Sequence, residues 1–270
     1  MQKFTSEESR RSEPLKEQVR TLSACTDKES RISILRDLLE RNQIPYEISQ
    51  EGPILNILAG NLKSERSLPM ICAHYDIFEG SSGANDNLSS VVILLELLKS
   101  HKDSFTAVFL DEEESGHGGA KLLLKQFENQ NVKKPEAFIV LDTCGYGNME
   151  ACRIRNGRFH PLFRRMTNRQ LRKKYHLHSC SSLPESDDAE LQKSGAPLML
   201  ISMMPSDDVQ ALEAAANYYG FLRYSSSAFA QVLDSLEVMQ TIHNGPYDDP
   251  DILFEESMEN VLHHLQEILD

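Results

Sequence analysis

The sequence predicts an α/β fold of three layers, in which helices cover both faces of a mostly parallel, mixed central sheet. Four apolar segments each have about the length of a strand that is buried on both faces. Stretches with helical periodicity separate the first three segments, and alternation of strand and helix is typical of parallel sheets. The four segments are residues 68–73, 105–110, 137–141 and 197–203.

Helices and two further strands complete the predicted elements. Thr26 and Glu29 have the spacing of a capping box and precede apolar residues at helical spacing, which predicts a first helix over 27–41. Short runs bounded by turn residues predict strands at 46–49 and 54–59. Further helices are predicted at 88–99, 119–130, 186–193 and 253–269.

The chain of 270 residues is long enough to bury one full α/β core. Its sequence contains no internal repeat and no low-complexity linker. We therefore expect a single domain over residues 26–270. The polar segment 1–25 that precedes it is expected to be disordered or loosely helical.

The overall charge and the apolar runs exclude two classes of partner. A formal net charge of −13 repels phosphate backbones, so we expect no nucleic acid partner. No apolar run approaches the roughly 20 residues of a membrane span, so no membrane partner is expected either. Without an apolar leader, and with five irregularly spaced cysteines, the sequence predicts a reducing, cytoplasmic setting, while export by another route stays open.

Residues 153–174 depart from the acidic composition, since they contain seven arginines and two lysines but no acid. Such a segment is typical of a solvated helix face beside an acidic body, and a docking face for an acidic substrate or partner is the alternative. Just beyond it, His176 and His178 are expected to lie on the surface of a strand and not to act as a pair of metal ligands.

Histidine and acidic residues follow three of the predicted strands directly. His74 and Asp76 come after the first segment, acidic residues occupy 111–114 after the second, and Asp142 ends the third. Because functional sites in open parallel sheets form at the carboxyl ends of the strands, these side chains are expected at one edge. A single one of these elements would usually be a capping pair or a solvated turn, but their combination in this order predicts a metal site.

The positions within this group suggest separate roles. In an extended stretch, Asp76 faces the same side as His74 and can orient its ring towards a metal through the far nitrogen. The small-residue loop that ends in Asp86 opens into helix 88–99, where a carboxylate could bridge two cations. Glu113 and Glu114 point in different directions, so that one can bind metal while the other handles a proton.

The motifs resemble those of the co-catalytic zinc aminopeptidase family, which includes bacterial leucyl aminopeptidases, aminopeptidase Y, glutamate carboxypeptidase and glutaminyl cyclases. The similarity is closest over residues 54–145. It is carried by AHYDIFEGSSGANDNLSSVVILLEL from Ala73, by FLDEEESGHGGAKLL and FIVLDTCGYG, and more loosely by ESDDAELQKSGAPLMLI and TIHNGPYDD. The resemblance implies a zinc-exopeptidase-like fold, with residues 26–270 as the catalytic domain.

The resemblance also implies a role for each matched residue, including one histidine that spacing alone does not select. The first metal would be held by His74, Asp86 and Asp142, and the second by Asp86, Glu114 and His243. Asp86 would bridge the two ions, Glu113 would be the general base and Asp76 would orient the first histidine. Two divalent ions are therefore expected, and zinc is preferred although nitrogen and oxygen ligands also suit manganese or cobalt.

Three positions depart from the family pattern. Asp188 stands where many members have histidine, Asn244 replaces the usual threonine, and Asp248 lies one residue later than expected. None of them is an implied ligand, so the departures concern the substrate pocket and leave metal binding intact.

The expected activity is that of an aminopeptidase that acts on a peptide or aminoacyl substrate, with a water activated by two metals and Glu113. The alternatives are a carboxypeptidase or acyl-amino-acid deacylase, a glutaminyl cyclase, and a non-catalytic binding protein. The spacing of Gly116 and Gly119 argues against a cyclase, and the oligomeric state stays open.

Acidic residues in the motifs favour the aminopeptidase. The matched segments contain no arginine near the expected site, whereas acids are frequent and should attract a free amine more than a carboxylate. These acids include Asp111, Glu112, Asp187 and Asp188.

Overall fold

The computed structural model describes residues 13–219, 226–243 and 247–270. Within these ranges an eight-stranded mixed sheet has the strand order β1-β2-β4-β3-β5-β8-β6-β7. The strands are β1 (Tyr46–Glu51), β2 (Ile54–Gly60), β3 (Met70–His74), β4 (Thr106–Leu110), β5 (Phe138–Leu141), β6 (Met149–Arg155), β7 (Leu177–Ser179) and β8 (Leu198–Met204).

The four apolar segments form the parallel centre of the sheet, in the order β4-β3-β5-β8, and each of these strands is buried throughout. The β1–β2 hairpin joins antiparallel to β4, and β6 joins antiparallel to β8. The predicted fold class is therefore confirmed.

Helices cover both faces of the sheet, because successive strand residues point to opposite sides. In β3, Ile71 and Ala73 belong to one hydrophobic cluster, while Met70 and Cys72 belong to the other. The first cluster includes side chains of α1 (Leu15–Ser23), α2 (Lys28–Arg41), α3 (Ser89–His101), α5 (Pro161–Met166), α6 (Arg169–Lys174) and α10 (Glu255–Leu269). The second includes side chains of α4 (Gly118–Glu128), α7 (Asp188–Leu191), α8 (Ser206–Tyr219) and α9 (Ser226–Ser235).

Two predicted helices differ in detail from the structure. The cap of α2 is Asp27, whose carboxylate accepts the Ser30 amide at 2.8 Å, so the capping box proposed for Thr26 is wrong. The helix expected over 186–193 is shorter, because α7 gives way to a 3₁₀ turn at Gln192–Ser194.

The chain near the N-terminus is helical where the structure describes it. Leu15, Val19 and Leu22 of α1 are buried, and Glu255 of α10 accepts the amides of Leu15 and Lys16 at 2.6 and 2.8 Å. Residues 1–12 of the expected polar segment lie outside the described residues. The division into a segment 1–25 and a domain 26–270 stays a prediction.

The sequence did not predict β6, α5 and α6, which all fall within residues 149–174, whereas the strand expected around His178 is present as β7. The basic segment covers much of this region, and its arginines interrupt the apolar pattern of a strand. The expectation of a solvated helix face is wrong for Arg153, which lies in β6 and is buried.

None of the helices in the described ranges has the length and apolar character needed to cross a membrane. All five cysteines have free thiols, and Cys72 and Cys144 are buried.

Candidate metal centre

The carboxyl ends of three central strands bring the predicted residues together. His74 is the last residue of β3 and pairs in register with Leu110, the last residue of β4. Asp142 directly follows β5, and its amide donates to the carbonyl of Ile201 in β8 at 3.0 Å. The strand ends are level, so side chains that follow them meet at one edge.

His74 is buried, and its two ring nitrogens face different carboxylates. Nδ1 lies 3.4 Å from Oδ1 of Asp76 and 3.3 Å from the Asp76 carbonyl. Nε2 points to the other side, 3.2 Å from Oδ1 of Asp86 and 3.8 Å from Oδ1 of Asp142. Asp76 thus holds the ring so that Nε2 is directed at the two other carboxylates.

Asp86 lies between two histidines. Its Oδ1 faces His74, while its Oδ2 lies 3.7 Å from Nε2 of His243. The same nitrogen of His243 lies 3.2 Å from Oε2 of Glu114, and the half-exposed ring packs on Phe78 with 4.9 Å between ring centroids. The two oxygens of Asp86 therefore serve two separate groups of ligands, as a bridging carboxylate must.

The loop that carries Asp86 is held by Asp248. The Asp248 carboxylate accepts the amides of Gly83 at 3.0 Å and Asn85 at 2.8 Å, and the Ser81 hydroxyl also donates to it. Gly83 has a φ of 66°, and a Cβ there would lie 2.5 Å from the side chain of Ile77. Asp248, which departs from the family spacing, thus fixes the loop from which Asp86 projects.

The donor set fits divalent cations. Oε1 of Glu114 and Oδ1 of Asp142 are buried without a hydrogen-bond partner, which is costly for a carboxylate unless a cation satisfies it. His74, Asp86 and Glu114 each offer a ligand atom within 4.8 Å of the others. Burial opposes the charged form of His74, but the nearby carboxylates of Asp142, Asp76 and Asp86 outweigh it and raise the pKa of the imidazole.

Glu113 has a different environment from Glu114. Its Oε1 lies 3.3 Å from Nδ1 of His117, and burial raises the pKa of the carboxyl to about 7 although the contact with His117 lowers it. A carboxyl with this pKa can accept and return a proton near neutral pH. The amide of Glu114 donates to Oδ2 of Asp76 at 3.1 Å, which fixes the backbone between the two glutamates.

His117 was given no role from the sequence, and Asp187 was expected only as one of the acids near the substrate. Nδ1 of His117 lies 3.4 Å from Oδ1 of Asp187, which is buried with neither carboxylate oxygen hydrogen-bonded. The nearby Asp187 carboxylate raises the pKa of His117 to about 10, with a further contribution from Glu113. The sequence does contain a signal for His117. This histidine stands between Gly116 and Gly118, directly after the acidic cluster, and a turn at that position would not require an imidazole.

Asp111 and Glu112, which the sequence led us to expect near the substrate, pair with other groups of the protein. Asp111 is buried, pairs with Lys28 and accepts the Leu55 amide at 2.8 Å, while Glu112 lies 3.3 Å from the same lysine. Both carboxylates are therefore compensated away from the site.

Asp188 is also compensated, by the basic segment. Its Oδ2 lies 2.7 Å from Nη2 of Arg153 and 2.7 Å from Nε of Arg155. Asp187 is buried beside His117 instead of lining the cavity. The acidic rim predicted from these residues is therefore wrong.

A cavity of about 290 Å³ adjoins the metal-ligand group. Other acids line it, and no lysine or arginine in the described ranges does so. Its acidic lining residues are Asp86, Glu113, Asp142 and Glu185. Its apolar lining residues, here called the apolar wall, are Met204, Leu233, Val238, Met239 and Ile242.

Solved structures with a similar fold include peptidases and cyclases. LapA of Legionella pneumophila, an aminopeptidase, is 16% identical to this chain with a TM-score of 0.68. The match covers 95% of this chain and 71% of the LapA chain. The glutaminyl cyclase of Porphyromonas gingivalis is 17% identical with a TM-score of 0.64, covering 95% of this chain and 96% of its own. A zinc aminopeptidase from Bacillus subtilis is 16% identical with a TM-score of 0.55, covering 79% of this chain and 48% of its own.

The sequence comparisons identify a family, whereas the solved structures show a similarity of fold alone. A search among curated proteins found no significant match. The family model described as "Peptidase family M28" matches residues 56–244, which is more than two-thirds of the chain and contains every ligand-type residue described above. This chain belongs to peptidase family M28.

Proposed function

We propose that this protein is a zinc-dependent aminopeptidase that releases apolar residues from free peptide N-termini. The observation that carries the proposal is the position of Asp86, with one oxygen towards His74 and the other towards His243, beside a cavity that Glu113 lines.

Two groups of ligands share this bridge. Asp142 completes the group around His74, and Glu114 completes the group around His243. When bound, two zinc ions would polarise the scissile carbonyl and lower the pKa of a water molecule to about 7. Imidazole and carboxylate ligands without thiolate are consistent with such ions.

Glu113 is the group that would move the proton. Its carboxylate would accept a proton from the attacking water and return it to the leaving amine, for which a pKa of about 7 is suited. Asp76 would keep the His74 ring in its orientation, and His117 would hold the Glu113 carboxylate through the contact at 3.3 Å.

The cavity supports the choice of substrate. Among the lining carboxylates, Glu185 is neither an assigned metal ligand nor the proton acceptor, and it can attract a cationic α-amine, whereas a substrate carboxylate would find no lysine or arginine among the described lining residues. The methionine, leucine, valine and isoleucine side chains of the apolar wall suit an apolar substrate side chain. A volume of about 290 Å³ is small for a ligand site and suits one or two residues.

A glutaminyl cyclase is the second candidate, because the Porphyromonas gingivalis enzyme and this chain each cover at least 95% of the other. The aminopeptidase structures extend further beyond the matched region. Cyclisation would need an N-terminal glutamine, whereas the apolar wall favours side chains without an amide.

The deciding experiment compares four substrates with the zinc-loaded protein: leucyl-peptide, its N-acetylated form, a peptide with N-terminal glutamine, and a peptide with a free C-terminal leucine but a blocked N-terminus. We expect leucine to be released from the leucyl-peptide alone, and we expect a chelator to abolish this release. Glu113→Gln is the inactive control. Faster chelator-sensitive cleavage of either blocked peptide would overturn the aminopeptidase, and ring closure of the glutamine peptide would establish the cyclase.

A further inference from the structure

A second cluster of metal-ligating side chains lies at the far edge of the sheet. His178 is in β7, Cys180 follows that strand directly, and Glu213 projects from α8. Each offers one ligand atom, and these nitrogen, sulfur and oxygen atoms lie within 4.8 Å of one another. We call these three residues the edge site.

The edge site is separate from the metal centre. β7 pairs with β6, β6 with β8 and β8 with β5, so three spacings of about 4.8 Å separate β7 from the strand that ends at Asp142. None of the three residues belongs to either group of ligands around Asp86.

The fold places the three side chains together for identifiable reasons. His178 and Cys180 are two residues apart in an extended stretch and therefore point to the same side. Cys180 is buried in the hydrophobic cluster that contains Val209 and Leu212 of α8, which brings this helix over the edge strand. Glu213, one residue beyond Leu212, has its Oε1 3.4 Å from the Ser181 amide and its Oε2 3.9 Å from Nε2 of His178.

The donor types select a borderline-soft cation. Thiolate, imidazole and carboxylate are zinc ligands, and three protein ligands with an open side leave a fourth position for water. A thiolate and a carboxylate balance the charge of one divalent ion, while the imidazole binds as the neutral base. We propose that His178, Cys180 and Glu213 bind one zinc ion in addition to those of the metal centre.

Binding at this site must displace a proton. Burial, with a smaller contribution from Glu213, raises the pKa of the Cys180 thiol to about 12, so without a cation the sulfur stays protonated. The cation takes the place of that proton, which leaves to solvent as the metal–sulfur bond forms. Affinity should therefore fall as the pH decreases.

The ion would act on the substrate cavity through α8. It would link α8 to β7, because Glu213 belongs to the helix, whereas His178 lies in the strand and Cys180 directly follows it. Asp208, near the start of α8, accepts the amides of Glu237 at 2.9 Å and Val238 at 2.8 Å. Val238 lines the apolar wall of the cavity, so the edge site would stabilise this wall without contributing a group to the reaction.

Cobalt distinguishes the two sites, because the metal centre contains no thiol whereas the edge site does. After chelation and reloading with Co²⁺, we expect three ions per chain and a thiolate-to-cobalt charge-transfer band. Cys180→Ser, His178→Ala and Glu213→Gln should each lose one ion per chain, and Cys180→Ser should abolish the band. The two other ligands are partly exposed, so their replacement leaves the core intact.

Two controls complete the test. Cys25→Ser removes the other thiol that is not fully buried and should change neither the band nor the ion count. His74→Ala should lose catalytic metal but keep the band, so failure of the proposed peptidase activity is distinguishable from failure of the edge site. Absence of the band in the loaded protein, or its persistence in Cys180→Ser, would overturn the proposal.

Discussion

Glu113 and Glu114 are adjacent residues whose side chains meet different partners, His117 for the first and His243 for the second. We predict that Glu113→Gln lowers kcat by about two orders of magnitude or more, because glutamine cannot accept the proton. Metal content should stay at the wild-type level, because this glutamate is not assigned as a ligand. Turnover and elemental analysis test both statements, and Glu114→Gln is the matched variant that should lose metal instead. The reverse pattern would mean that the two roles are exchanged.

A single residue, His117, also leads to a prediction about how stability depends on pH. Its pKa is raised from the ordinary 6.5 to about 10, first by the nearby carboxylate of Asp187 and then by that of Glu113. The folded state therefore holds a proton that the unfolded state loses above pH 6.5. This stabilisation is fully present below pH 6.5 and disappears as the pH rises to about 10.

Urea unfolding of the wild type and of His117→Gln measures the effect. The difference in the free energy of unfolding should be largest at pH 6 and should shrink steadily towards pH 10. A difference that is constant over this range would show that the imidazolium does not stabilise the fold.

The N-terminus of α2 provides a prediction at the scale of one element. Asp27 accepts the Ser30 amide, whereas the sequence also offers Thr26 as a cap. We predict that Asp27→Ala lowers the free energy of unfolding by about 1 kcal/mol, the usual cost of a lost N-cap. Thr26→Ala is the control and should have almost no effect in the same chemical denaturation experiment. Equal losses in the two variants would contradict the observed cap.

The side chains of β6 explain why this strand was not predicted from the sequence. Arg153 and Arg155 alternate with apolar residues along the strand, and both contact Asp188 at 2.7 Å. A buried arginine is tolerable only when such a partner exists, and the partner lies more than thirty residues away in the sequence. Local patterns could not reveal it, so the segment looked like a solvated surface.

At the scale of the whole molecule, the metal centre concentrates carboxylates inside a chain that already carries a formal charge of −13. Divalent ions that bind the folded state and not the unfolded one should therefore stabilise it. We predict that saturation with zinc raises the melting temperature by about 5 °C or more over the chelated protein. The measurement uses Cys180→Ser, in which the edge site does not contribute.

Asp86→Asn in the same background is the matched control, because both groups of ligands share this residue. Its melting temperature should respond to zinc much less than that of the parent. An equal response in the two proteins would show that the stabilising ions bind elsewhere.

The central strands and most of the candidate site could be predicted from the sequence alone. A strand buried on both faces must be apolar throughout, so β3, β4, β5 and β8 were visible as short runs, and ligand-type residues directly after three of them marked the edge. His243 was selected only through the family resemblance, since its spacing from the other ligands follows no local rule.

The partners of the charged side chains became visible only in the folded structure. It places Asp248 under the loop of Asp86, His117 beside Glu113 and Asp187, and Glu213 beside Cys180. It also shows that Asp111 and Asp188, which we expected at the substrate, are neutralised by Lys28 and the arginines of β6. Burial follows from local hydrophobic pattern, whereas the partner of a charged side chain depends on how distant segments pack, and no local pattern records that.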